Sequence, residues 1–386
     1  MMTGSAETGA LQGLRLVFWQ NHQSIHQAPL LRAAATLWRR RTGGDVQLNV
    51  MEPVPDHRRE SGWRDFDYGA VRVVRVENRD GAFAEKSFDV FSGFPIEPRL
   101  VRRARAMARV GRRFAVLAER PGDEARWKAP VRAVKYRLAS LRLPTDFLLF
   151  PLGADAEAFY RAVGFGGAAI RPFGYFPEHL GPSRDRTQRN GFERVALLFV
   201  GSLDRRKAPD LLLRALRDVA DLPWRLSIVG TGPLRPALEQ LAETPELRGK
   251  VKLHGAMANS DVQSLMQEAD HLLLASRYDG WGAVVNESLM AGTPVLISRH
   301  VGARSLLVDD KLGRVVPIAD QASMAEALRE VIEQGPVTGA RKEAIAAWAC
   351  EKLAPENAAD YLLNAITTYL TGERPPENFF RAMGEP

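Results

Sequence analysis

The sequence predicts an α/β fold with two doubly wound domains, and three observations lead to that prediction. The chain has 386 residues, more than the roughly 250 to 300 at which a single hydrophobic core stops growing. Short apolar runs alternate with helical patterns in both halves, as buried parallel strands alternate with crossover helices. A polar, proline-punctuated stretch from Phe176, FPEHLGPSRDRTQRNGFE, interrupts this alternation and predicts an interdomain linker.

The first domain is expected over residues 1–178, followed by the linker at 179–192. The apolar runs that predict its strands are 14–19, 46–51, 71–76, 88–94, 114–118 and 147–152. Because most of them are separated by helical patterns, the strands should form one parallel sheet with helices on both faces.

The second domain is expected over residues 193–354, where the same alternation restarts. Its predicted strands are 195–200, 226–229, 251–253, 271–275, 294–297 and 315–316. A helical tail over 355–386 can pack back on the first domain, although the sequence does not decide between the two domains. Ligands of open α/β sheets bind beyond the carboxyl ends of the strands, so two such domains facing each other predict a binding cleft.

Composition limits the partners and the compartment. The formal net charge is +7 and the isoelectric point about 9.7, which favours acidic partners such as phosphates, nucleotides or an anionic membrane. The single cysteine, Cys350, excludes an intrachain disulfide and favours a reducing compartment. No signal peptide and no apolar run near ~18 residues is found. We expect a cytoplasmic protein, either free or peripheral on the inner face of the cell membrane.

The loop after the first strand of the second domain concentrates positive charge. Gly201 follows the strand and Pro209 is expected to open the next helix. Between them stand Arg205, Arg206 and Lys207. Cations at a helix N-terminus oppose the helix dipole, so their position is explained if an anion, most simply a diphosphate, binds there. Solvated side chains on a surface loop are the alternative.

The next strand ends in a glycine-rich turn, SIVGTGPLRPALEQL. Gly230 and Gly232 permit a close backbone approach, and Pro233 is expected to open the following helix. A tight strand-to-helix turn without a ligand is the alternative.

The stretch SRYDGWGAVVNESLMAGTPVL places two carboxylates around a glycine hinge. Gly280 and Gly282 release the backbone on both sides of Trp281, and the predicted helix that follows directs its N-terminal dipole to the same place. Asp279 precedes the hinge and Glu287 lies about one helical turn after it, so both can face one ligand. Carboxylates bind vicinal hydroxyls well, which favours a sugar and a ribose. The alternative is that Asp279 caps the turn and Glu287 only lies near a helix N-terminus.

These motifs resemble those of the retaining nucleotide-sugar glycosyltransferases of family 4, which have the GT-B fold of two facing Rossmann-like domains with a central cleft. The C-terminal signature of that family is an acidic residue, seven others and a glutamate, which here corresponds to Asp279 and Glu287. The resemblance is specific over 195–318 and continues more weakly over the N-terminal half. It implies an enzyme of the bacterial polysaccharide type.

The resemblance also implies roles for these residues. Asp279 with the hinge amides would hold the donor sugar, Glu287 would bind the ribose hydroxyls and Lys207 would bind the diphosphate. The implied donor-binding set is Gly201, Arg206, Lys207, Gly230, Gly232, Met257, Asp279, Gly280, Trp281, Gly282 and Glu287. Met257 belongs to it because HGAMANSDV occupies the base-contacting region of the family.

Two positions depart from the family pattern. Ser202 stands where a basic residue usually follows the strand glycine, so Arg206 or Arg205 is expected to supply that charge. Asp279 is shorter than the glutamate that is more common there, which bears on the sugar accepted.

The first domain supplies a second group of candidates. The loop WQNHQSIHQAPLLRAA carries His22, Gln23 and His26, and by the resemblance it approaches the donor phosphates and the acceptor. Histidines bonded to turn carbonyls are the alternative. Glu119 stands near the position of a histidine that the family often has, and a capping or salt-bridged Glu119 is the alternative. The predicted catalytic residues are Asp279, Lys207, Glu119 and His22.

Positive charge is also concentrated at 99–142, which carries 14 Lys or Arg and 3 acidic residues, whereas the whole chain has a net charge of +7. An apolar stripe lies within it, with Trp127 and Tyr136 nearby. The stripe is Val131, Val134, Leu138 and Leu141, and the cations beside it are Arg132, Lys135, Arg137 and Arg142. A basic amphipathic helix of this kind suits an anionic membrane surface. Packing of the stripe on the sheet, with solvated arginines, is the alternative.

The combined prediction is transfer of a sugar from a nucleoside-diphosphate sugar to an acceptor hydroxyl with retention, in cell-surface polysaccharide or glycolipid synthesis. The expected acceptor is lipid-linked or an oligosaccharide. No metal or other cofactor is expected, because the one Asp-x-Asp motif, at Asp65 and Asp67, comes too early in the chain. Nucleic acid is not an expected partner, since the basic stretch lacks a base-reading motif. The alternatives are a nucleotide-sugar 2-epimerase of the same fold and a non-catalytic, membrane-associated nucleotide-binding scaffold.

Overall fold

The computed structural model divides the chain into two compact units, each built around one parallel sheet. The first unit comprises Met1–Asp56, Trp63–Pro177 and Pro355–Pro386, and the second comprises His57–Gly62 and Glu178–Ala354. The residues that the structure describes are 11–56, 59, 66–76, 86–92, 97–122, 129–143, 146–178, 194–317 and 320–383. The predicted linker at 179–192, and also Asp65 and Trp127, lie outside the described residues.

The sheet of the first unit follows the strand order β3-β2-β1-β4-β5-β6-β7. Its strands are β1 (Arg15–Gln20), β2 (Val46–Val50), β3 (Arg72–Arg75), β4 (Ser87–Ser92), β5 (Phe114–Glu119), β6 (Leu148–Leu152) and β7 (Ala169–Ile170). All neighbours pair in parallel. The order reverses between β1 and β4, which makes this pair the topological switch point. The sequence did not predict β7, because two residues are too few to give a periodic signal.

Helices cover this sheet and bury its apolar side chains. They are α1 (Ala28–Thr42), α2 (Pro98–Arg109), α3 (Ala129–Ser140) and α4 (Ala156–Tyr160), the last continued by a π turn over Arg161–Phe165. Helix α1 has Pro29 in its first turn and ends at Gly43, whose φ of 68° favours glycine. Aromatic rings fill the core between β5 and β6, where Phe114 stacks on Phe147 at 5.4 Å.

The second unit repeats the architecture with the strand order β10-β9-β8-β11-β12-β13. Its strands are β8 (Val195–Val200), β9 (Trp224–Val229), β10 (Val251–Gly255), β11 (His271–Leu274), β12 (Val295–Ser298) and β13 (Gly313–Val316). They also pair in parallel. Here the switch point lies between β8 and β11.

The helices of the second unit follow its strands. They are α5 (Pro209–Arg217), α6 (Arg235–Ala242), α7 (Asn259–Glu268), α8 (Val284–Met290), α9 (Gln321–Glu333) and α10 (Gly339–Lys352), with a 3-10 turn over Gly302–Leu306. The prediction that Pro233 opens a helix is wrong. Helix α6 begins at Arg235 and has Pro236 in its first turn, because the residues before it are held in a turn by the loop after β8.

The chain returns to the first unit after α10. Helix α10 contacts α8, whereas α11 (Pro355–Thr371) contacts α1. Polar contacts anchor α11, since Arg41 pairs with Asp360 and the Tyr369 hydroxyl donates to Asp146 Oδ1 at 2.8 Å. The ring of Tyr361 stacks on that of Phe173 at 6.1 Å. Throughout the described part of the chain, no helix has both the length and the apolar character required to span a bilayer.

Candidate functional site

The loop after β8, residues 201–208, is held in shape by Asp204. Its carboxylate accepts the Lys207 N–H at 2.8 Å and the Ser202 hydroxyl at 2.7 Å. Ala208 then adopts a φ of 51° immediately before α5. A left-handed conformation at a residue with a Cβ is unfavourable, so the surrounding bonds must impose it. Lys207 is thereby fixed at the carboxyl end of β8, beside the switch point.

Two cations of the β8 loop reach a carboxylate of the loop after β11, residues 275–283. Lys207 Nζ forms an ion pair with Asp279 Oδ2, and Arg206 Nη1 lies 3.8 Å from Asp279 Oδ1. The side chains of Lys207 and Asp279 are each only 11% exposed. Arg205 is exposed and lies outside this cluster. Of the two residues expected to compensate for Ser202, Arg206 is therefore the one beside Asp279.

Asp279 is also fixed through its backbone, by the segment that follows β12. The Asp279 N–H donates to His300 O, and the Gly302 N–H donates to Asp279 O, both at 3.0 Å. Asp279 and Val301 form an isolated parallel bridge. The position of the carboxylate is thus determined by three neighbouring strands, β8, β11 and β12.

The glycine hinge packs tightly around its tryptophan. Trp281 is buried, and its indole N–H donates to Asn286 Oδ1 at 2.9 Å. Gly282 has a φ of 91°, and a Cβ there would lie 2.9 Å from Val301 Cγ1. The N–H groups of Gly280 and Gly282 donate no hydrogen bond to the described part of the chain. These two amides are available to the oxygen atoms of a ligand.

Glu287 lies on α8, about one turn beyond the hinge. Its side chain keeps some exposure, but burial of the carboxyl group raises the pKa of Glu287 to about 7. A carboxyl that is partly protonated near neutral pH can donate as well as accept a hydrogen bond. The two signature carboxylates therefore differ in environment, because Asp279 has cationic neighbours and the pKa of Glu287 is set by desolvation.

The glycines after β9 are required by loop packing. Gly230 has a φ of 139°, and a Cβ there would overlap the carbonyl oxygen of Gly201. A Cβ at Gly232 would lie 2.5 Å from the carbonyl oxygen of Leu203. Hydrogen bonds join the same two loops, since Leu203 N–H donates to Thr231 O at 2.8 Å. The β9 loop thus supports the β8 loop from one side.

Met257 lies between β10 and α7 and is half-buried. In the sheet, β9 separates β10 from β8. Nearby, His254 Nε2 lies 3.1 Å from Ser227 Oγ, and desolvation, together with the charge of Lys252, lowers the pKa of His254. The role of Met257 in contacting a base stays a prediction.

Two residues of this region were missed by sequence reasoning. Asp204 was overlooked because it stands in the basic run LDRRK. The residue type was a usable signal, since Asp side chains often accept a hydrogen bond from a nearby backbone N–H and so close a turn. His300 acts through its carbonyl oxygen, and a backbone acceptor has no residue-type signal.

The corresponding loop of the first unit, residues 21–27 after β1, contains no Lys, Arg, Asp or Glu. The His22 ring donates from Nδ1 to the carbonyl of Gln23 at 2.8 Å, since a carbonyl oxygen only accepts. Gln20 at the end of β1 bonds through its side chain to Gln27. His22, Gln23 and His26 are half-buried. The three predicted residues lie together beside the switch point of their own sheet.

Glu119 is the last residue of β5, one strand farther from that switch point than β4, and it is exposed. Its carbonyl oxygen accepts the Tyr160 hydroxyl at 2.8 Å. Among the residues that the structure describes, no group of three or more His, Cys, Asp or Glu side chains is arranged to hold a metal ion.

Comparison with known proteins gives a family match over the second unit. Residues 184–349 match the family described as glycosyl transferases group 1. The alpha-D-kanosaminyltransferase of Streptomyces kanamyceticus is 28% identical over 182 residues, which cover 47% of this chain and 45% of that protein.

A second relative is the N-acetylgalactosamine-N,N'-diacetylbacillosaminyl-diphospho-undecaprenol 4-alpha-N-acetylgalactosaminyltransferase of Campylobacter jejuni. It is 33% identical over 148 residues, which cover 38% of this chain and 40% of that protein. The chain spans less than half the length of the curated relatives that it matches.

Solved structures match both units. The crystal structure of Anabaena Alr3699/HepE in complex with UDP matches with a TM-score of 0.64 at 16% sequence identity, and the match covers 92% of this chain and 100% of that chain. Likeness at this level shows the fold. The predicted α/β class, with two Rossmann-like domains of the GT-B type, is confirmed.

Proposed function

We propose that this protein transfers a sugar from a nucleoside-diphosphate donor to a hydroxyl group of an acceptor, with retention of anomeric configuration, as in family 4. The convergence of Lys207 and Arg206 on Asp279 at the switch point of the second sheet carries this proposal. The match of 184–349 to glycosyl transferases group 1 includes all three residues and supports it. The UDP bound by the Anabaena protein, which has the same fold, supports a nucleotide-sugar donor.

The donor site is assembled from the loops after β8 and β11. An ammonium group has three N–H donors, so Lys207 can contact a phosphate oxygen while it stays paired with Asp279. Arg206 adds a second cation for the diphosphate. Asp279 and the amides of Gly280 and Gly282 hold hydroxyls of the donor sugar, and Glu287 binds the ribose.

The remaining donor-binding residues frame these groups. They are Gly201, Gly230, Gly232, Met257 and Trp281. The first three keep the β8 and β9 loops in register, Trp281 fixes the hinge through Asn286, and Met257 contacts the base. Trp281 therefore acts by positioning the hinge backbone.

In the reaction, the bond between the anomeric carbon and the diphosphate oxygen breaks as the acceptor hydroxyl attacks the same face. The proton of that hydroxyl passes to the departing phosphate oxygen. Lys207 and Arg206 offset the charge that develops on the leaving group, which is preorganised electrostatic stabilisation. A covalent route through two carboxylates is not proposed, because Asp279 and Glu287 are assigned to donor hydroxyls. No metal or other cofactor takes part.

The acceptor side is assigned to the first unit, with His22, Gln23 and His26 in the β1 loop and Glu119 at the end of β5. The position of this loop at a switch point supports that role. We propose a lipid-linked or oligosaccharide acceptor in cell-surface polysaccharide or glycolipid synthesis. The name of the Campylobacter relative, which acts on a diphospho-undecaprenol-linked sugar, supports a lipid-linked acceptor.

The test measures release of nucleoside diphosphate from a panel of UDP- and GDP-sugars, with and without EDTA. Wild type should release it from one donor, and EDTA should have no effect. Lys207→Ala should lower the rate at least ~100-fold, because it removes a cation that offsets the charge developing on the leaving diphosphate. Arg205→Ala is the matched control, since this neighbouring cation is exposed.

Each other outcome points to another function. Epimerised donor sugar without an acceptor would indicate the 2-epimerase. Nucleotide binding by calorimetry without release from any donor, even with lipid-linked and oligosaccharide acceptors present, would indicate the non-catalytic scaffold. An anomer of opposite configuration in the product, read by NMR, would contradict retention.

A further inference from the structure

Helix α3 presents an apolar stripe to solvent. Val131, Val134, Leu138 and Leu141 are 66%, 59%, 47% and 71% exposed. They are four of the six large hydrophobic side chains that are exposed in the described part of the chain. The alternative that this stripe packs on the sheet is therefore wrong. Exposed apolar side chains that occur singly are normal, but a contiguous group of them marks an interaction surface.

The stripe lies on the side of α3 opposite its packing face. Tyr136 is 3% exposed and its ring packs against Phe159 and Tyr160, at 5.2 and 6.1 Å. At 100° per residue, Leu138 lies about 160° around the helix axis from Tyr136. Tyr136, which is near the stripe in the sequence, does not share its surface, because its ring belongs to the core of the first unit.

Cations flank the stripe on both sides. On the helical projection Lys135 lies along one edge and Arg137 along the other. Arg142 follows in the turn after α3, and all three are exposed. No Asp or Glu occurs in 129–143. Within the described part of the chain, the basic side chains of α3 and Arg142 form no ion pair. Exposed cations such as Lys135, Arg137 and Arg142 can contact an external anion.

We propose that α3 and the turn after it, residues 129–143, seat this protein on the surface of an anionic lipid bilayer. The four apolar side chains enter the boundary between headgroups and acyl chains, and the flanking cations contact lipid phosphates. A second copy of the chain is a poor occupant, because pairing two α3 helices through this stripe would bring their cations together with no acidic residue between them.

The experiment is sedimentation of the full chain with vesicles of phosphatidylcholine alone or with about 30% phosphatidylglycerol. Wild type should bind the anionic vesicles and not the neutral ones. Lys135→Gln with Arg142→Gln should lower the partition coefficient roughly 25-fold at low salt, since each cation near such a surface contributes about 1 kcal/mol. Leu138→Ser with Leu141→Ser should lower it about tenfold or more, because that apolar area is no longer buried in lipid.

Matched controls test whether the loss of binding is specific to α3, because they remove the same kinds of side chain elsewhere on the surface. Val73→Ser removes an exposed valine from the edge strand β3, and Arg225→Gln with Lys252→Gln removes two exposed charges from the second unit. Both should bind like wild type. Thermal unfolding of every variant checks that it folds, which the exposure of all the substituted side chains favours.

Several results would overturn the proposal. They are absence of binding to either vesicle, equal binding to both, and full binding by both α3 variants. A second copy would be assigned to the stripe instead if wild type bound no vesicles and light scattering showed a dimer that the leucine variant does not form. This proposal does not rest on the transferase function, because vesicle binding is measured without a donor. Release of nucleoside diphosphate in free solution should be unchanged in all the α3 variants.

Discussion

At the switch point of the second sheet, cations of the β8 loop reach a carboxylate of the β11 loop, and the pair of Lys207 and Asp279 is largely removed from water. At the switch point of the first sheet, the β1 loop closes on itself through glutamine side chains and a histidine bonded to a carbonyl. Both sheets are parallel, and the first six strands of each follow the same order around the switch point.

This difference shows what a doubly wound sheet determines and what it leaves to the loops. The topology sets where a ligand can bind, at the carboxyl ends of two strands whose connections diverge. The side chains of the loops set its charge. A cationic cluster with a buried carboxylate suits a diphosphate sugar, whereas a polar loop without Lys or Arg suits an uncharged hydroxyl acceptor.

The largest effect is expected from Asp279→Asn, which removes the shared charge of the second switch point. The variant would lose the carboxylate that holds the donor sugar and fixes Lys207 beside the diphosphate, and a loss of about 3 kcal/mol in transition-state stabilisation is roughly a 100-fold loss in kcat/KM for the donor. Steady-state release of nucleoside diphosphate measures it. Asp309→Asn is the control, because Asp309 pairs with exposed Lys311 only a few residues away. Equal losses in both variants would mean that Asp279 has no special role.

Next in size is the pH dependence contributed by Glu287. Burial raises its pKa to about 7 in the folded state, above the value of 4.5 expected when it is exposed. The folded chain therefore binds this proton more tightly, and the contribution of Glu287 to the free energy of unfolding should fall by about 3 kcal/mol as pH rises from about 4.5 to 7.

Urea unfolding at pH 5 and pH 8 tests this dependence. Burial also lowers the pKa of His271 to about 3, so His271 makes the chain more stable as pH rises over the same range. Relative to wild type, Glu287→Gln should therefore shift the change in stability between pH 5 and pH 8 by about 3 kcal/mol in favour of pH 8, whereas Glu243→Gln, at an exposed position, should leave that change as in wild type. The same pH dependence in wild type and in Glu287→Gln would contradict the raised pKa.

A smaller effect is expected from Gly282→Ala in the hinge. Its positive φ and the 2.9 Å approach to Val301 should together cost about 2 kcal/mol of stability and weaken donor binding. Gly335→Ala is the matched control, because Gly335 has a φ of 77° with no atom near its Cβ position. The control should lose about 1 kcal/mol and bind the donor normally. Thermal unfolding and calorimetry give both quantities.

The smallest effect on donor affinity is expected from His22→Ala in the β1 loop. Nucleoside diphosphate affinity should stay within about twofold of wild type, since this loop has no Lys or Arg for the diphosphate. Transfer to the acceptor should fall about tenfold, the equivalent of one lost hydrogen bond. A large loss of nucleotide affinity would contradict the assignment of the donor to the β8 loop and of the acceptor to the β1 loop.

Most of the fold could be predicted because strands buried on both faces are almost continuously apolar, as in β6 and β12. Asp279 and Glu287 stood out because carboxylates are rare in such surroundings. The support given by Asp204 and by the carbonyl of His300 could not be predicted, since it depends on which loops become neighbours. The α3 stripe has the same sequence pattern whether it faces the core or the solvent, and only packing decides between the two.

The glycine contacts between the β8 and β9 loops have a consequence for protein engineering. Gly230 leaves no room between itself and the Gly201 carbonyl, and the two loops exchange backbone hydrogen bonds at Leu203. If one loop is replaced by that of another enzyme to change donor preference, the new loop would have to pack against the unchanged neighbouring loop and would not fit it. The two segments, 201–208 and 230–234, therefore form a single cassette, and chimaeras that exchange them together should retain the native fold where single-loop grafts lose it.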